Sequence, residues 1–302
     1  MGLTRNFFIA LSKNQVLNNG AKKWGLKLGA GKVVAGTDIE SMMKSVKELN
    51  LNGISATIDN LGEFVYTKEE ALQAKTNILN TLEAIQLHAV VAHMSIKLTQ
   101  VGLDVDYKFC LANMREIVAL ASSYDIFINI DMEDYAHLQQ TLDLLEELRK
   151  DYDNVGTVIQ SYLYRSEKDL DRLKDVRLRL VKGAYKENEE VSLQDKQEID
   201  LNYIKLIKLR LLQPAFTSIA THDHHVINEV KKFVKEHNIP FSRFEFQMLY
   251  GFRSEMQKEL AKEGYAFTTY VPFGQDWYGY YMRRLAERPQ NINLVLKSMV
   301  SK

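Results

Sequence analysis

Along the chain, short β-branched or apolar runs alternate with longer stretches whose apolar positions recur at helical spacing. The spacing predicts a first strand over Gly53–Ile58, reading GISATI and stopped by Asp59-Asn60. A helix follows, with Leu72, the stem of Lys75, Ile78, Leu79, Leu82 and Ile85 as its apolar stripe. Thr67 is its expected N-cap, with Glu69 and Glu70 in the first turn. The second strand is predicted over His88–Ile96, its helix over Tyr107–Ser122, and the third strand over Phe127–Ile130. Leu138, Leu142, Leu145 and Leu148 mark the next helix, and Thr157–Gln160 the fourth strand, with a helix from about Glu167. Strand five is Arg177–Val181, followed by a helix over Ile199–Leu212. Strand six is Phe216–Ala220, with Val226, Val230, Phe233 and Val234 on its helix. Strands seven (Phe244–Phe246) and eight (Phe267–Tyr270) precede helices over Ser254–Lys262 and Trp277–Glu287.

Strand–helix alternation implies parallel pairing, because each crossover needs a helix. The expected class is therefore α/β, a (β/α)8 TIM-like barrel over residues 51–302 with an N-terminal helical extension over residues 1–50. A doubly wound open sheet is the alternative. Against it, no Gly-x-Gly-x-x-Gly turn follows the first strand, and Gly25, Gly29 and Gly31 precede the strands.

Charge changes this picture only locally. Lys+Arg and Asp+Glu are both 39, which argues against a mainly electrostatic nucleic-acid binder while permitting a basic pocket. Cys110 is the single cysteine, so neither a disulfide framework nor a cysteine-based zinc site is expected. Apolar runs such as Ala89–Ala92 are too short to span a membrane, and Phe7–Leu11 is too short for a secretory signal. The expected setting is the cytoplasm.

In a barrel, the strand C-termini carry the chemistry. The polar groups there are Asp59, Lys97, Asp131 with Glu133, Gln160, Arg179 with Lys182, Thr221-His222-Asp223, Gln247 and Tyr270. Their mixed signs suit an anionic ligand whose cations are held by carboxylates. The stretch Thr221–His225 offers a His-x-His pair, His222 and His224, with Asp223 between them, that could hold a metal. Asp223 equally suits an N-cap, and no second histidine cluster exists, so no metal is expected. On the last helix, Tyr280 and Arg283 are three apart, and Arg283-Arg284 could grip a carboxylate or phosphate.

These residues also carry a resemblance. SIKL (Ser95–Leu98), NIDMED (Asn129–Asp134), RLVKGAY (Arg179–Tyr185), ATHD (Ala220–Asp223), FEFQMLYG (Phe244–Gly251), YVPFG (Tyr270–Gly274) and YYMRRLAER (Tyr280–Arg288) occur in this order over residues 95–288. The chain thereby resembles the proline dehydrogenase family, in its short monofunctional bacterial form. The resemblance implies an FAD-dependent barrel that oxidises L-proline to Δ1-pyrroline-5-carboxylate by hydride transfer to flavin N5. This is the first step of proline catabolism, and the electrons pass to quinone or another acceptor.

By the same resemblance, Arg283 and Arg284 clamp the substrate carboxylate, with Lys97 as a third cation and Glu133 in their ion-pair network. Leu249, Tyr270 and Tyr280 pack against the proline ring. Arg179, Asp131 and Lys97 are the implied catalytic residues, with Arg179 and Gln160 near the reactive flavin edge. Asp131, Met132, Gln160, Arg179, Val181, Lys182, Ala184, Tyr185, Thr221, His222, Gln247, Arg284 and Glu287 are the implied FAD contacts. Lys186 and Asp223 depart from the family pattern, where an aromatic residue and Asn are frequent.

A hydroxyproline oxidase of the same family is a close rival, against which the bulk of Tyr270 argues. A lyase or aldolase using Lys97 or Lys182 as a Schiff-base nucleophile is the rival from another class. Delivery of electrons to quinone implies peripheral contact with the inner face of the cytoplasmic membrane. The amphipathic tail Asn291–Lys302 is a candidate for that contact, and equally for a helix packed on the barrel.

Overall fold

The structure, a computed structural model, describes residues 30–62 and 65–287, with residue 30 and residues 283–287 described by their backbone. After a short 3-10 turn (Ala30–Lys32), the described chain forms helix α1 (Ile39–Asn50) and then alternates: β1 (Ser55–Asn60), α2 (Lys68–His88), β2 (Ala92–Ile96), α3 (Tyr107–Ser123), β3 (Ile128–Ile130), α4 (Tyr135–Leu148). It continues through β4 (Val155–Gln160), α5 (Ser166–Arg172), β5 (Leu178–Val181), α6 (Lys196–Leu211), β6 (Thr217–Ala220), α7 (His224–Glu236), β7 (Phe244–Leu249), α8 (Ser254–Lys262), β8 (Ala266–Phe273) and α9 (Trp277–Glu287). The eight strands pair in chain order, all parallel, and β8 closes onto β1. This is the expected (β/α)8 barrel. The expected N-terminal extension falls largely outside the described residues, as does the tail Asn291–Lys302.

Barrel strands buried on both faces usually read as continuous apolar runs. Here they alternate, as in Phe244-Glu245-Phe246-Gln247 on β7 and Leu178-Arg179-Leu180 on β5. The apolar set (Ile58, Met94, Ile96, Ile130, Leu180, Phe246) joins the main core, to which the helices contribute leucines such as Leu138, Leu142 and Leu145. The polar set fills the barrel axis, where most of its members hydrogen-bond to one another. Arg177, between Phe127 and Phe216 at 4.3 and 4.5 Å, donates to Glu245 over 3.1 Å. Branched aliphatics usually fill such an interior. A polar axis holds only because its members pair with one another.

Several boundaries differ from the sequence expectation for local reasons. Strand two starts at Ala92, not His88, because α2 runs through His88 and ends on Ala89 in the left-handed conformation (φ +49°). Strand one runs over Ser55–Asn60, so Asp59 and Asn60 finish it rather than stop it. The α2 stripe begins at Ala71, and Leu72 is exposed; Thr67 caps this helix as expected, in a reciprocal box with Glu70. Asp223 caps α7, accepting from the His225 amide at 3.0 Å.

A second apolar cluster stands apart from the core. Val34 and Leu61 pack with Trp277, Tyr278, Tyr280 and Tyr281 of α9. The strap that carries Val34 crosses Gly251 (φ +77°) so closely that a Cβ there would meet the Lys32 carbonyl oxygen at 1.5 Å. Helix α9 is thus seated over the barrel mouth by the segment preceding α1.

The polar axis predicts a pH dependence. His93 is buried with its ring edge-on to Phe127. Burial pushes its imidazole down to about 3; Arg177 and Arg179 act in the same direction, against Glu245 and Asp131. The native state therefore prefers neutral His93, whereas the unfolded chain takes up a proton near pH ~6.5. This contribution is complete above that value and is lost as pH falls toward 3. Between pH 7 and 4.5 it costs about 2–3 kcal/mol, at ~1.4 kcal/mol per tenfold change in proton affinity. Urea unfolding at both pH values should show His93→Gln losing less by that amount; equal losses in variant and parent would refute the assignment.

Candidate active site

The mouth is built by inward residues at the ends of β1, β2, β3, β5 and β8. Lys97, one residue past β2, donates to Asp59 Oδ2 at 3.1 Å, Tyr270 Oη at 3.2 Å and Asp131 Oδ2 at 3.4 Å. Arg179 Nη1 reaches the other oxygen of Asp131 at 2.7 Å, and its Nη2 donates to Ser95 at 2.8 Å and Thr57 at 3.2 Å. Asn129 adds a 3.0 Å bond to Asp131 Oδ1. The Tyr270 hydroxyl lies 2.7 Å from Asp59 Oδ2 and 2.8 Å from Asp131 Oδ2. Its ring sits 5.4 Å from the Arg179 guanidinium.

Asp59, Lys97, Asp131, Arg179 and Tyr270 therefore form one network of two cations, two carboxylates and a phenol. Burial opposes charge on Asp131, but Lys97 and Arg179 outweigh it and hold its carboxyl below the usual range. Burial likewise opposes the Lys97 charge, and Asp59, Tyr270 and Asp131 reverse the balance, so the ammonium stays protonated. Burial pushes the Tyr270 phenol well up, with Asp131 and Asp59 adding to it, so it remains a donor.

Other predicted residues surround this network. Leu249, half-buried, pairs in register with Tyr270. Gln160 donates to the carbonyls of Glu133 (3.0 Å) and Met132 (3.5 Å), and Gln247 donates to Glu245 at 2.7 Å. Glu133 accepts from the amide and hydroxyl of Thr99 at 3.1 and 2.7 Å; burial raises its carboxyl despite these bonds. Among the described side chains, Glu133's hydrogen-bond partner is Thr99 rather than a cation. Val181 ends β5 half-buried, and Lys182 after it is held between Asp200 (2.5 Å) and Asp223 (3.0 Å).

Thr221 is buried, and its hydroxyl accepts from the Asp223 amide at 3.0 Å. His222 Nε2 accepts from the Leu249 amide at 3.1 Å. Tyr280 is buried in the α9 cluster. The side chains of Arg283, Arg284 and Glu287 lie outside the described residues. Among the described residues, no cluster of three or more His, Cys, Asp or Glu side chains is placed to hold a metal.

Among the buried polar atoms of the described residues that lack a hydrogen-bond partner, three belong to predicted site residues on strands β4, β5 and β7: the acceptors Gln160 Oε1 and Gln247 Oε1, and the donor Arg179 Nε. Such atoms are costly unless something satisfies them. A cavity of about 490 Å³ lies beside the β5–α6 loop, lined by Tyr162, Gly183, Ala184, Tyr185 and Leu193 among others. Gly183 (φ +119°) shapes this loop; a Cβ there would meet the Tyr162 ring at 2.5 Å. Buried acceptors and a donor, with a roomy loop cavity nearby, suit a cofactor ring that carries both N–H and carbonyl groups.

Asp59 is more central than its sequence position suggested, and Thr57, Ser95 and Glu245 were not singled out. Each sits two residues before another inward polar residue, so the period-2 alternation was the available signal.

The chain matches the family model described as Proline dehydrogenase over residues 42–295. It is 47% identical over 302 residues to Proline dehydrogenase 1 of Bacillus subtilis, covering 99% of this chain and 100% of that one. It is 41% identical over 286 residues to Proline dehydrogenase of Deinococcus radiodurans, covering 92% and 91%. Among solved structures it is similar to proline utilization A from Bdellovibrio bacteriovorus inactivated by N-propargylglycine, with a TM-score of 0.81 and 25% identity. That match covers 90% of this chain and 34% of the other, so the chain spans about a third of that longer protein.

The network makes Asp131 indispensable to stability. Asp131→Ala leaves Lys97 with Asp59 and Arg179 with only the Ser95 and Thr57 hydroxyls, and should cost about 3–5 kcal/mol in urea unfolding, the size expected when one partner of a buried pair is removed. Adding Arg179→Met should restore part of that loss. A cost for Asp131→Ala below about 1 kcal/mol, the range of an exposed pair, would contradict the network.

Proposed function

Because the chain belongs to the proline dehydrogenase family, we propose that it oxidises L-proline to Δ1-pyrroline-5-carboxylate with a bound FAD. The observation that carries this reading is the charge-balanced cluster at the barrel mouth, with Gln160 Oε1, Gln247 Oε1 and Arg179 Nε unpartnered beside it. The flavin, when bound, supplies the two-electron acceptor.

The chain's own residues do the rest by holding and orienting. Arg179, fixed by Asp131, Ser95 and Thr57, keeps its Nε available for the electron-rich edge of the cofactor. Gln160 and Gln247 offer acceptors; Met132, Val181, Lys182, Ala184, Tyr185, Thr221, His222, Arg284 and Glu287 complete the proposed cofactor contacts. Arg283 and Arg284 bind the substrate carboxylate, with Lys97 as a third cation. Leu249, Tyr270 and Tyr280 confine the ring, so that the reacting carbon is held within about 3–3.5 Å of its acceptor. A small zwitterion suits a mouth in which fixed cations and anions cancel. Residues 1–50 serve as an extension to this catalytic unit. Electrons leave to quinone or a similar acceptor through peripheral membrane contact. Among the described residues no helix is long and apolar enough to cross a membrane.

The purified protein should be yellow, with an absorption band near ~450 nm that bleaches on adding L-proline, as for a protein-held redox cofactor. A colourless protein trapped by borohydride with a carbonyl compound would establish Schiff-base chemistry at Lys97 or Lys182 instead. Arg283→Ala and Arg284→Ala should each raise KM for proline about 30- to 1,000-fold, corresponding to ~2–4 kcal/mol for a buried charge-assisted contact. A steady-state preference for 4-hydroxyproline over proline would overturn the substrate assignment.

A further inference from the structure

Glu245 and Gln247 are consecutive inward residues of β7, 4% and 2% exposed. Four donors converge on Glu245. Ser218 Oγ (2.5 Å), Gln247 Nε2 (2.7 Å) and Arg177 Nη2 (3.1 Å) reach Oε1, and Thr268 Oγ1 (2.6 Å) reaches Oε2. Burial opposes its ionisation, but Arg177 and the hydroxyl donors Ser218 and Thr268 outweigh it and hold the carboxyl below the usual range. An ionised carboxylate has no hydrogen to give. Gln247 must therefore turn its NH2 group toward Glu245, which resolves the usual ambiguity between amide oxygen and nitrogen. Its carbonyl oxygen faces away from Glu245 and is the buried, unpartnered acceptor noted above. Because the strands run toward the mouth, Gln247 stands on the mouth side of Glu245.

We propose that Glu245 is a positioning residue, which locks the Gln247 amide so that the barrel wall presents the cofactor with a carbonyl acceptor and never an NH2 donor. The proposal rests on the flavin reading above. An acceptor-only wall favours a ring N–H and repels ring carbonyls, so it selects the orientation in which the cofactor's pyrimidine edge offers its hydrogen. A neutral residue at 245 can itself donate, and the Gln247 amide is then free to rotate. Gln160 on β4 repeats the arrangement with different means, its NH2 taken by the carbonyls of Glu133 and Met132 and its Oε1 unpartnered. The same outcome from two unrelated sets of acceptors is what a requirement for acceptors at the mouth would produce.

The test is a double-mutant cycle on the full-length holoenzyme. Glu245→Gln, Gln247→Leu and their combination are compared by the rate of FAD release on dilution, followed as the rise in flavin fluorescence, and by the visible spectrum. Glu245→Gln leaves Arg177 without its carboxylate, so Glu245→Gln with Arg177→Met is made in parallel as a charge-neutral version that folds independently of that pair. Both Glu245 variants should release FAD about tenfold faster than the parent and shift the flavin band, the effect of one buried acceptor given the wrong partner. Gln247→Leu should do likewise, and adding Glu245→Gln to it should change nothing further. Release at the parental rate from the Glu245 variants would overturn the proposal. So would an acceleration of equal size in the Gln247→Leu background, because that is the signature of a general structural role. A parent protein that neither carries nor binds FAD would instead remove the flavin reading itself.

Discussion

A cation inside a barrel is tolerable only beside an anion, and Lys97 and Arg179, both among the described cations of this mouth, meet at Asp131. One carboxylate oxygen takes Arg179 and the other takes Lys97, so a single side chain fixes two charged groups from different strands. Taking each ion out of water costs several kcal/mol, and only close, hydrogen-bonded pairing offsets it. Asp59 and the Tyr270 phenol complete the balance. The network leaves no freedom for any member to relocate, which is the property a site needs when it must hold a small substrate against a cofactor face.

The same logic extends down the axis. Beneath the mouth, Arg177 and Glu245 form a second balanced pair, flanked by Phe127, Phe216, Ser218 and Thr268. The barrel is thus packed by polar layers in which most side chains hydrogen-bond to one another, although Arg177 Nε in the lower layer has no partner. Toward the mouth, Gln160 Oε1, Gln247 Oε1 and Arg179 Nε also lack partners, where a ligand would complete them. The helices supply the apolar core outside the barrel, and the separate Val34–Trp277 cluster seats the last helix above the opening.

The fold was legible because the alternation of strand and helix periods is a local signal. Thr67 and Asp223 could be read as caps, the helix over Ser254–Lys262 was bounded correctly, and the start of the last helix at Trp277 was placed correctly, from residues only a few positions apart. Strand ends were less legible: Ala89 in a left-handed turn breaks the apolar run that seemed to begin strand two at His88. The membership of the mouth was visible as a set of polar strand ends, but its pairings were not. Lys97 meets Tyr270 across 173 positions and Arg179 meets Thr57 across 122, distances that only barrel closure brings together. Thr57, Ser95 and Glu245 escaped attention because hydroxyls and a mid-strand acid look ordinary until the register places them on the axis.

The central claim, resting on the proposed flavin-dependent oxidation, is that the Asp131-centred network orients the groups that would carry it out. It is tested most directly by anaerobic stopped-flow reduction of the bound flavin by L-proline, comparing Asp131→Asn with the parent. The substitution keeps the shape and removes the charge that fixes Lys97 and Arg179. The account predicts that the variant still carries flavin but is reduced at least about 100-fold more slowly, the order of loss expected when reacting groups are misplaced by about an ångström. Reduction at the parental rate would contradict it.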